Sequence, residues 1–494
     1  MKKVKVSKNI LLLLGIMIAI TIMGIGYASV ESITGEIGGK IIASAQEGVF
    51  ITNAEYVSNV GANVTNSQIK NYVKTTLQST VELSSTNAES SITYKVTIFN
   101  NTDDYYEFTE VKYDSEFYDN ENITFEVTGF VPSERIKPKE TKDIVVTFKY
   151  KDTTSVPSNR TLNSYLNFNM EKVLLTTAGT YLPTGFTQVE GTTLENGLTI
   201  QDSKGNQYVW VEVPQTTEVY SYLGLTEFSD YEYSKIEYDL INYSSYYRRT
   251  NWEDKYSLDE ATGLTSEQYT ALKQKMIKSI YTNGGFYVGK YETGIEDAPK
   301  TDGNENIAPT EIPVIKQNAY PYNMVTCKQA QTLASNMESG SYNTSLMFGL
   351  QWDLILKYLE KKGTTQADLK TDSTTWGNYS NNLWNITNEK SKYAVLNKTT
   401  YMYEWTSGPY GVKSSSTGVP LSTGASDTFC KQGIYDLAGN VYEFTLESTE
   451  YSSSPCAARG GSYSNDGSFG PAWYRISSAT YFYNTSIGFR VALY

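Results

Sequence analysis

Between residues 30 and 173, apolar and polar positions alternate over several short runs. In the clearest run, Ile92, Tyr94, Val96 and Ile98 fall on one face and the residues between them are polar. The same spacing recurs in three further sets, which are Ile123, Phe125 and Val127; Ile144, Val146 and Phe148; and Leu166, Phe168 and Met170. Runs of period two separated by turn residues are typical of half-buried strands, so we predict a β-sandwich here.

From residue 183 to residue 494 the pattern becomes a mixture of strands and helices. Alternating arms around a polar turn at 202–206 predict a hairpin from Leu198 to Val213. Capping boxes at Thr265–Gln268 and Thr326–Gln329 precede apolar residues at helical spacing, and a third helix is expected from about Ser345 to Glu360. The Tyr-rich stretch 231–256 is interpreted as a polar insertion.

These patterns predict a multidomain protein. An all-β sandwich over residues 30–173 would be joined by a linker, residues 174–182, to an α+β unit over residues 183–494.

The N-terminus combines a basic flank with an apolar run. Lys2, Lys3, Lys5 and Lys8 precede an uncharged stretch from Ile10 to Gly26. This order is typical of an export signal, with the lysines on the cytoplasmic side. Residues 1–29 are therefore expected to be either a cleaved signal peptide, cut after Ala28, or a retained N-terminal membrane anchor. Either outcome predicts an extracellular or cell-surface location.

Composition excludes several classes of function. The formal net charge is −13, which argues against a nucleic-acid partner because phosphate binding needs a basic face. The chain has no histidine, which removes Ser-His-Asp catalysis, imidazole general bases and His-ligated zinc. Tyrosine is abundant, with 42 residues. Tyrosine suits both recognition surfaces and the strands of a β-rich extracellular protein, and both readings stay open.

The chain has three cysteines, Cys327, Cys430 and Cys456. Cys430 and Cys456 flank one segment and could close a modest loop by a disulfide in an exported protein. The alternative is two buried thiols. Cys327 is expected to be buried on a helix.

Two regions resemble known families. The segment 136–141, Ile-Lys-Pro-Lys-Glu-Thr before a strand, resembles a loop of bacterial Ig-like domains. The C-terminal region resembles the formylglycine-generating enzyme (sulfatase-modifying factor) family in four ordered motifs: Gly284–Glu292, Gly433–Phe444, Arg459–Tyr463 and Ile487–Arg490. This resemblance implies a C-type-lectin-like α+β fold for residues 183–494.

The resemblance also implies chemistry that this chain lacks. The family's oxidase uses two cysteines just after the "R-G-G-S-F" motif to hold copper(I), a soft ion that thiolates suit. Here that segment reads Ser464-Asn465-Asp466-Gly467-Ser468-Phe469, so we expect no catalytic residues and no copper. The alternative is an active or divergent formylglycine-generating oxidase.

A second ion is implied by the "G-N-V-W-E" turn, which binds structural calcium in the family. The matching positions here are Gly439, Asn440, Val441 and Glu443, and oxygen ligands suit this hard cation. The alternative is a metal-free turn in which Glu443 bonds to backbone groups.

The loop region between Arg459 and Arg490 is rich in Tyr, Ser, Asn and Asp, which is typical of adaptable recognition surfaces. It also resembles the variable region of diversity-generating-retroelement proteins. We expect an exported bacterial surface protein whose catalytically silent head binds an extracellular protein or glycan. The candidate ligand-binding residues are Tyr463, Asn465, Asp466, Trp473, Tyr474, Arg475, Tyr481 and Tyr483. Arg475 could instead be structural, and Trp473 could pack into the core.

Overall fold

The computed structural model describes residues 48–60, 69–73, 76–83, 91–113, 123–130, 134–150, 160–225, 228–338, 342–399 and 403–494. The chain divides into two compact units at the Val173–Leu174 boundary. The predicted signal or anchor, residues 1–29, lies outside the described residues. Within the described ranges, no helix has the length and apolar character needed to cross a membrane.

The described part of the first unit consists of antiparallel strands in two sheets. The strands are β1 (Val49–Val60), β2 (Ile69–Val73), β3 (Thr76–Leu83), β4 (Ser91–Asn100), β5 (Tyr105–Tyr113), β6 (Ile123–Thr128), β7 (Arg135–Ile136), β8 (Thr141–Tyr150) and β9 (Arg160–Leu175). The sheet orders are β1-β4-β8-β6 and β2-β3-β9-β5-β7.

One hydrophobic core is shared by these two sheets. Ile98 of β4 and Val146 of β8 come from the first sheet, while Phe108 of β5 and Phe168 of β9 come from the second. Along β4, buried and half-exposed residues alternate without interruption, as the period-two pattern predicted. The described strands of this unit therefore form two antiparallel sheets that share one core.

The second unit is built from short strands around two sheets. Its strands are β10 (Tyr181–Leu182), β11 (Thr187–Gln188), β12 (Thr199–Gln201), β13 (Gln207–Glu212), β14 (Trp252–Glu253), β15 (Gly285–Gly289), β16 (Gly294–Ile295), β17 (Tyr320–Pro321), β18 (Thr344–Leu346), β19 (Asn385–Ile386), β20 (Lys392–Leu396), β21 (Tyr403–Ser407), β22 (Gly411–Val412), β23 (Cys430–Lys431), β24 (Ile434–Tyr435), β25 (Tyr442–Thr449), β26 (Cys456–Arg459), β27 (Arg475–Ser478), β28 (Ile487–Phe489) and β29 (Val491–Leu493).

The helices of the second unit are α1 (Asp230–Tyr243), α2 (Asp259–Thr262), α3 (Ser266–Asn283), α4 (Cys327–Ser335), α5 (Gly349–Lys361) and α6 (Gln366–Lys370). Short 3₁₀ helices occupy Ser245–Tyr247, Thr374–Trp376 and Asp427–Phe429. One sheet has the order β11-β12-β13-β15-β29-β18. The other has the order β14-β25-β26-β27, with β28 parallel to β25.

Several local predictions for this unit are confirmed. The hairpin is β12 and β13, and α3 and α4 both begin behind capping boxes at Thr265 and Thr326. The third helix begins later than expected, because Ser345 pairs with Ala492 in β18 before the chain turns into α5.

Two segments differ from the sequence interpretation. The Tyr-rich insertion contains α1, which has a capping box at Ser229 and buries Ile236 and Leu240 while Tyr231 and Tyr238 face solvent. The predicted linker 174–182 contains a short hairpin, because Tyr181 and Leu182 of β10 pair with the end of β9.

The predicted Cys430–Cys456 disulfide is wrong in this structure, in which all three cysteines are free thiols. Cys430 lies on β23, opposite Tyr435. Cys456 lies on β26, where its thiol contacts the Ala261 carbonyl and lies beside Cys327. Cys327 is the first residue of α4 and is buried, as predicted.

Candidate functional site

The four sequence motifs meet in the interior of the second unit. β15, from the first motif, pairs with β29 just after the last motif. In the other sheet, Glu443 of β25 lies opposite Arg459 of β26 and beside Gly488 of β28. The motifs therefore specify one spatially continuous scaffold.

Four fully buried charged side chains form an ion network in this scaffold. Asp353 of α5 accepts hydrogen bonds from Arg459 at 2.9 Å and from Arg475 at 2.7 Å. Glu447 of β25 accepts from the same arginines at 3.2 Å and 3.0 Å. Burial alone would raise the pKa of Asp353, but Arg475, Arg459 and Arg248 hold it below its ordinary value. The network therefore remains charged inside the fold.

A second buried cluster surrounds Arg490. Its guanidinium makes three contacts with the Glu443 carboxylate, two to Oε1 at 3.1 and 2.6 Å and one to Oε2 at 3.0 Å, and it also donates to the Gly289 carbonyl at 2.9 Å. Glu292 and Asp436 lie nearby. Burial raises the pKa of Asp436 to about 7, and burial with the neighbouring carboxylates Asp436 and Glu443 raises that of Glu292.

The side chains at the predicted calcium site are engaged in hydrogen bonds within the protein. Both carboxylate oxygens of Glu443 accept hydrogen bonds from Arg490. The Asn440 side-chain oxygen accepts from Asn378 and from the Leu421 amide, and the Asn440 carbonyl accepts from the Tyr463 amide. The Val441 amide donates to Glu292, and Gly439 donates to the Gly460 carbonyl. In the described ranges, no group of acidic or sulfur side chains is arranged to hold a metal ion.

The loop 460–474 joins β26 to β27, and its backbone is braced along its length. The Tyr379 hydroxyl lies 3.0 Å from the Gly460 carbonyl and 2.8 Å from that of Gly470. Ser380 donates to the Asn465 carbonyl, and the Trp352 indole donates to the Ala472 carbonyl at 3.0 Å. Gly461 is in the left-handed region, and a Cβ there would lie 2.1 Å from the Gly470 carbonyl oxygen, so only glycine fits.

Two of the predicted ligand-binding residues are buried, which corrects the prediction for both. Tyr463 is 2% exposed, its hydroxyl lies 3.2 Å from the Thr485 hydroxyl, and burial raises its pKa. Arg475 is also 2% exposed and belongs to the buried ion network, which is the structural alternative considered for it. Neither side chain can reach a ligand on the surface.

The remaining predicted residues of loop 460–474 lie at or near the surface. Asp466 is exposed and accepts a hydrogen bond from Ser380, while Asn465 is half-buried and closes the turn by accepting from Ser462. Trp473 and Tyr474 are both half-buried. The Tyr474 ring contacts Phe469, which is 63% exposed and was not among the predicted residues.

Tyr481 and Tyr483 lie on a different segment, residues 479–486, between β27 and β28. Tyr481 is 67% exposed. Tyr483 is half-buried and packs on Gly303, where a Cβ would lie 2.3 Å from its ring. Asn484 accepts from the Met324 amide. The two segments are connected by the Tyr463–Thr485 contact.

Three residues around Trp473 were missed by sequence reasoning. The Lys370 ammonium lies 4.9 Å from the Trp473 ring centroid and 4.2 Å from that of Tyr246, and the Arg249 guanidinium lies 6.0 Å from Trp473. These residues belong to α6 and to the Tyr-rich segment, more than a hundred positions before Trp473. The sequence contained one signal for this cluster: two adjacent arginines, Arg248 and Arg249, follow a run of tyrosines.

The fold and the site together define a domain whose irregular surface loops are held by hydrogen bonds and whose interior contains buried ion pairs. Residues 260–494 match the family described as the sulfatase-modifying factor enzyme 1-like domain. The matched range contains all four motifs, which confirms the resemblance read from them. The match begins after β13 and α1, although these elements pack in the same unit.

Among solved structures, the chain is similar to Treponema denticola variable protein 1. The identity is 13%, the similarity covers 66% of this chain and 95% of that chain, and the TM-score is 0.18. A TM-score of this size does not establish a shared fold. No match was found among curated proteins.

Replacing Arg475 with leucine should destabilise the second unit by about 3–5 kcal/mol, because Asp353 and Glu447 would lose a buried partner. All seven tryptophans lie between residues 210 and 473, so tryptophan fluorescence during urea unfolding reports this unit. The matched control is Arg249→Leu, which removes an exposed arginine and should change the free energy of unfolding by less than about 0.5 kcal/mol. Equal effects of the two variants would contradict the assigned role of the network.

Replacing Asp436 with asparagine should change the pH dependence of stability. A carboxyl whose pKa is raised on folding binds more protons in the folded state, so the wild-type protein loses stability as pH rises from about 4 to about 7. Asparagine can still accept from the Gly424 amide and tolerates the positive φ of this position. The variant should therefore gain stability relative to wild type across this window and hold a constant difference above it.

Urea unfolding at a series of pH values measures this difference. Asp297→Asn, at an exposed aspartate, controls for the substitution itself. A difference between Asp436→Asn and wild type that is independent of pH would show that Asp436 does not titrate in this way.

Proposed function

We propose that this protein is an exported bacterial surface protein whose C-terminal domain binds a ligand through the side chains of loop 460–474. In this proposal the first unit is an Ig-like stalk, and the second is a C-type-lectin-like head without catalytic activity. The ligand is an extracellular protein or glycan, and the N-terminal segment is the only contact with the membrane.

The proposal rests on one observation: loop 460–474 alternates between buried residues with hydrogen-bonded backbones and residues with exposed side chains. The buried residues of the loop include Ser462, Tyr463, Gly467 and Gly470. The backbone of Ser462 bonds to Asn465 within the loop, and the backbones of the other three bond to Asn440, Ser373 and Tyr379 outside it. Of the residues between them, Asn465 is half-buried and the others are exposed, namely Ser464, Asp466, Ser468 and Phe469. A backbone fixed in this way presents side chains without an ordering cost on binding, which favours recognition.

The alternative is a formylglycine-generating oxidase. Loop 460–474 has no cysteine, and the three cysteines of the chain lie on β23, β26 and α4. Burial raises the pKa of Cys430 to about 11, which disfavours the thiolate needed to bind copper(I). Copper binding together with oxygen consumption on a Cys-containing peptide would overturn the proposal that the domain is catalytically silent.

The binding surface is tested by screening the purified chain on glycan and peptide arrays. Substituting both Asp466 and Phe469 with alanine should weaken binding to a hit by about tenfold or more, because a charge and a large aromatic contact are lost. Tyr451→Ala removes a similarly exposed aromatic ring outside the loop (54% against 63% for Phe469) and should leave binding unchanged. Retention of binding by the double variant, with loss in the control, would place the site elsewhere.

Whether the loop is diversified is a separate question that sequencing answers. If the protein is a diversity-generating-retroelement variable protein, the codons for residues 462–485 should differ among isolates while those for Asp353, Glu447, Arg459 and Arg475 stay constant. An unchanging loop would leave a fixed binding surface and remove diversification from the proposal.

A further inference from the structure

Beside loop 460–474, the described residues include an open groove formed by α1 and the segment after it. Its volume is about 580 Å³, which is within the range of small-ligand sites. The lining residues include Arg248, Arg249, Trp252 and Lys273, with Ser245, Thr250 and Asn251 supplying polar groups. This groove was not part of the surface predicted from sequence.

Most charges in the groove are already paired. Arg248 bonds to Asp353 at 3.1 Å, Lys273 bonds to Glu237 at 3.0 Å, and Lys255 bonds to Glu253 at 3.0 Å. Arg249 is the exception: no described carboxylate lies within ion-pair distance of it, and its guanidinium stands 5.8 Å from the Trp252 ring and 6.0 Å from the Trp473 ring.

Trp473 is flanked by a second unpaired cation. Lys370 donates to the Tyr246 carbonyl at 2.6 Å, and among the described residues it too has no carboxylate partner. The Trp473 indole is held in place because its N–H donates to the Tyr247 carbonyl at 2.6 Å. Two cations and three aromatic rings, those of Tyr246, Trp252 and Trp473, therefore lie in one area of a chain whose net charge is −13.

We propose that Arg249, Lys370 and Trp473, with the adjoining groove, bind an acidic oligosaccharide, that is, a sugar chain carrying carboxylate or sulfate groups. The inference rests on the proposed ligand-binding function and names its ligand class. The guanidinium fork of Arg249 binds an oxyanion in two places, and Lys370 contributes a second positive charge.

The neutral part of the site favours a sugar over an acidic peptide. Tyr246 is 46% exposed and offers an aromatic face to the apolar C–H face of a sugar ring. Ser245 and Thr250 are exposed hydroxyls on the groove, suited to hydrogen bonding with sugar hydroxyls. The combination of two cations with exposed hydroxyls and an aromatic face matches the acidic groups, hydroxyls and ring faces of an acidic sugar.

The test is calorimetric titration of the full chain with four probes: an oligogalacturonate, a heparin-derived tetrasaccharide, a neutral maltotetraose and a hexaglutamate peptide. Binding of either acidic oligosaccharide, weakened by added salt and absent for maltotetraose, supports the proposal. The two acidic probes distinguish carboxylate from sulfate recognition. Equal binding of maltotetraose, binding of hexaglutamate alone, or no binding of either acidic sugar overturns it.

Variants locate the site. Arg249→Ala should weaken binding of the acidic probe by about tenfold or more, and Arg249→Lys should recover only part of this loss, because lysine keeps the charge without the fork. Lys370→Gln should also weaken binding. Lys390→Ala removes an exposed lysine elsewhere and should leave affinity unchanged. Unchanged affinity in Arg249→Ala, with an unchanged unfolding midpoint, would refute the assignment.

The array experiment and the acidic-sugar titration together distinguish a failure of this inference from a failure of the proposed function. If array ligands depend on Asp466 and Phe469 but no acidic sugar binds, the proposed function stands and the inference fails. If an acidic sugar binds through Arg249 while the Asp466 and Phe469 double variant binds it normally, the inference stands and the role of loop 460–474 fails.

Discussion

The buried ion network of Asp353, Glu447, Arg459 and Arg475 is the interaction on which the C-terminal domain depends. It joins α5 to β25, β26 and β27, with all four side chains inaccessible to solvent. Burying charges costs free energy, and a hydrophobic cluster of the same volume could be as stable. The network instead fixes the relative positions of α5, β25, β26 and β27. Each arginine must face both carboxylates at once, and few other arrangements of these elements allow that.

The position of the network explains why an irregular loop can be well defined. Loop 460–474 starts directly after Arg459 and ends directly before Arg475, so both of its ends are fixed by the same two carboxylates. The Arg490–Glu443 pair fixes the neighbouring strands in a similar way, and Asn440 joins that cluster to Asn378 and the Leu421 backbone. Irregular surface segments are thus held by charge pairs in the interior rather than by long regular elements.

Local features of the structure could be predicted from sequence, while its long-range contacts could not. The alternation in β4 and the capping boxes of α3 and α4 depend on residues close in the chain, and these predictions are confirmed. The role of Arg475 depends on Asp353, 122 positions away. The thiol of Cys456 likewise lies beside that of Cys327, although Cys430 is much closer to Cys456 in sequence. Helix α1 was missed because its exposed tyrosines hide the apolar period of Ile236 and Leu240.

The division of loop 460–474 into anchored and exposed positions limits how the protein can be engineered or can evolve. A side chain at Gly467 would collide with the backbone of Thr374 at 2.4 Å, so this position is closed to substitution. Ser464, Ser468 and Phe469 point outward and can be exchanged with little effect on folding. A combinatorial library confined to such outward positions would therefore sample many surface chemistries on one backbone at nearly constant stability.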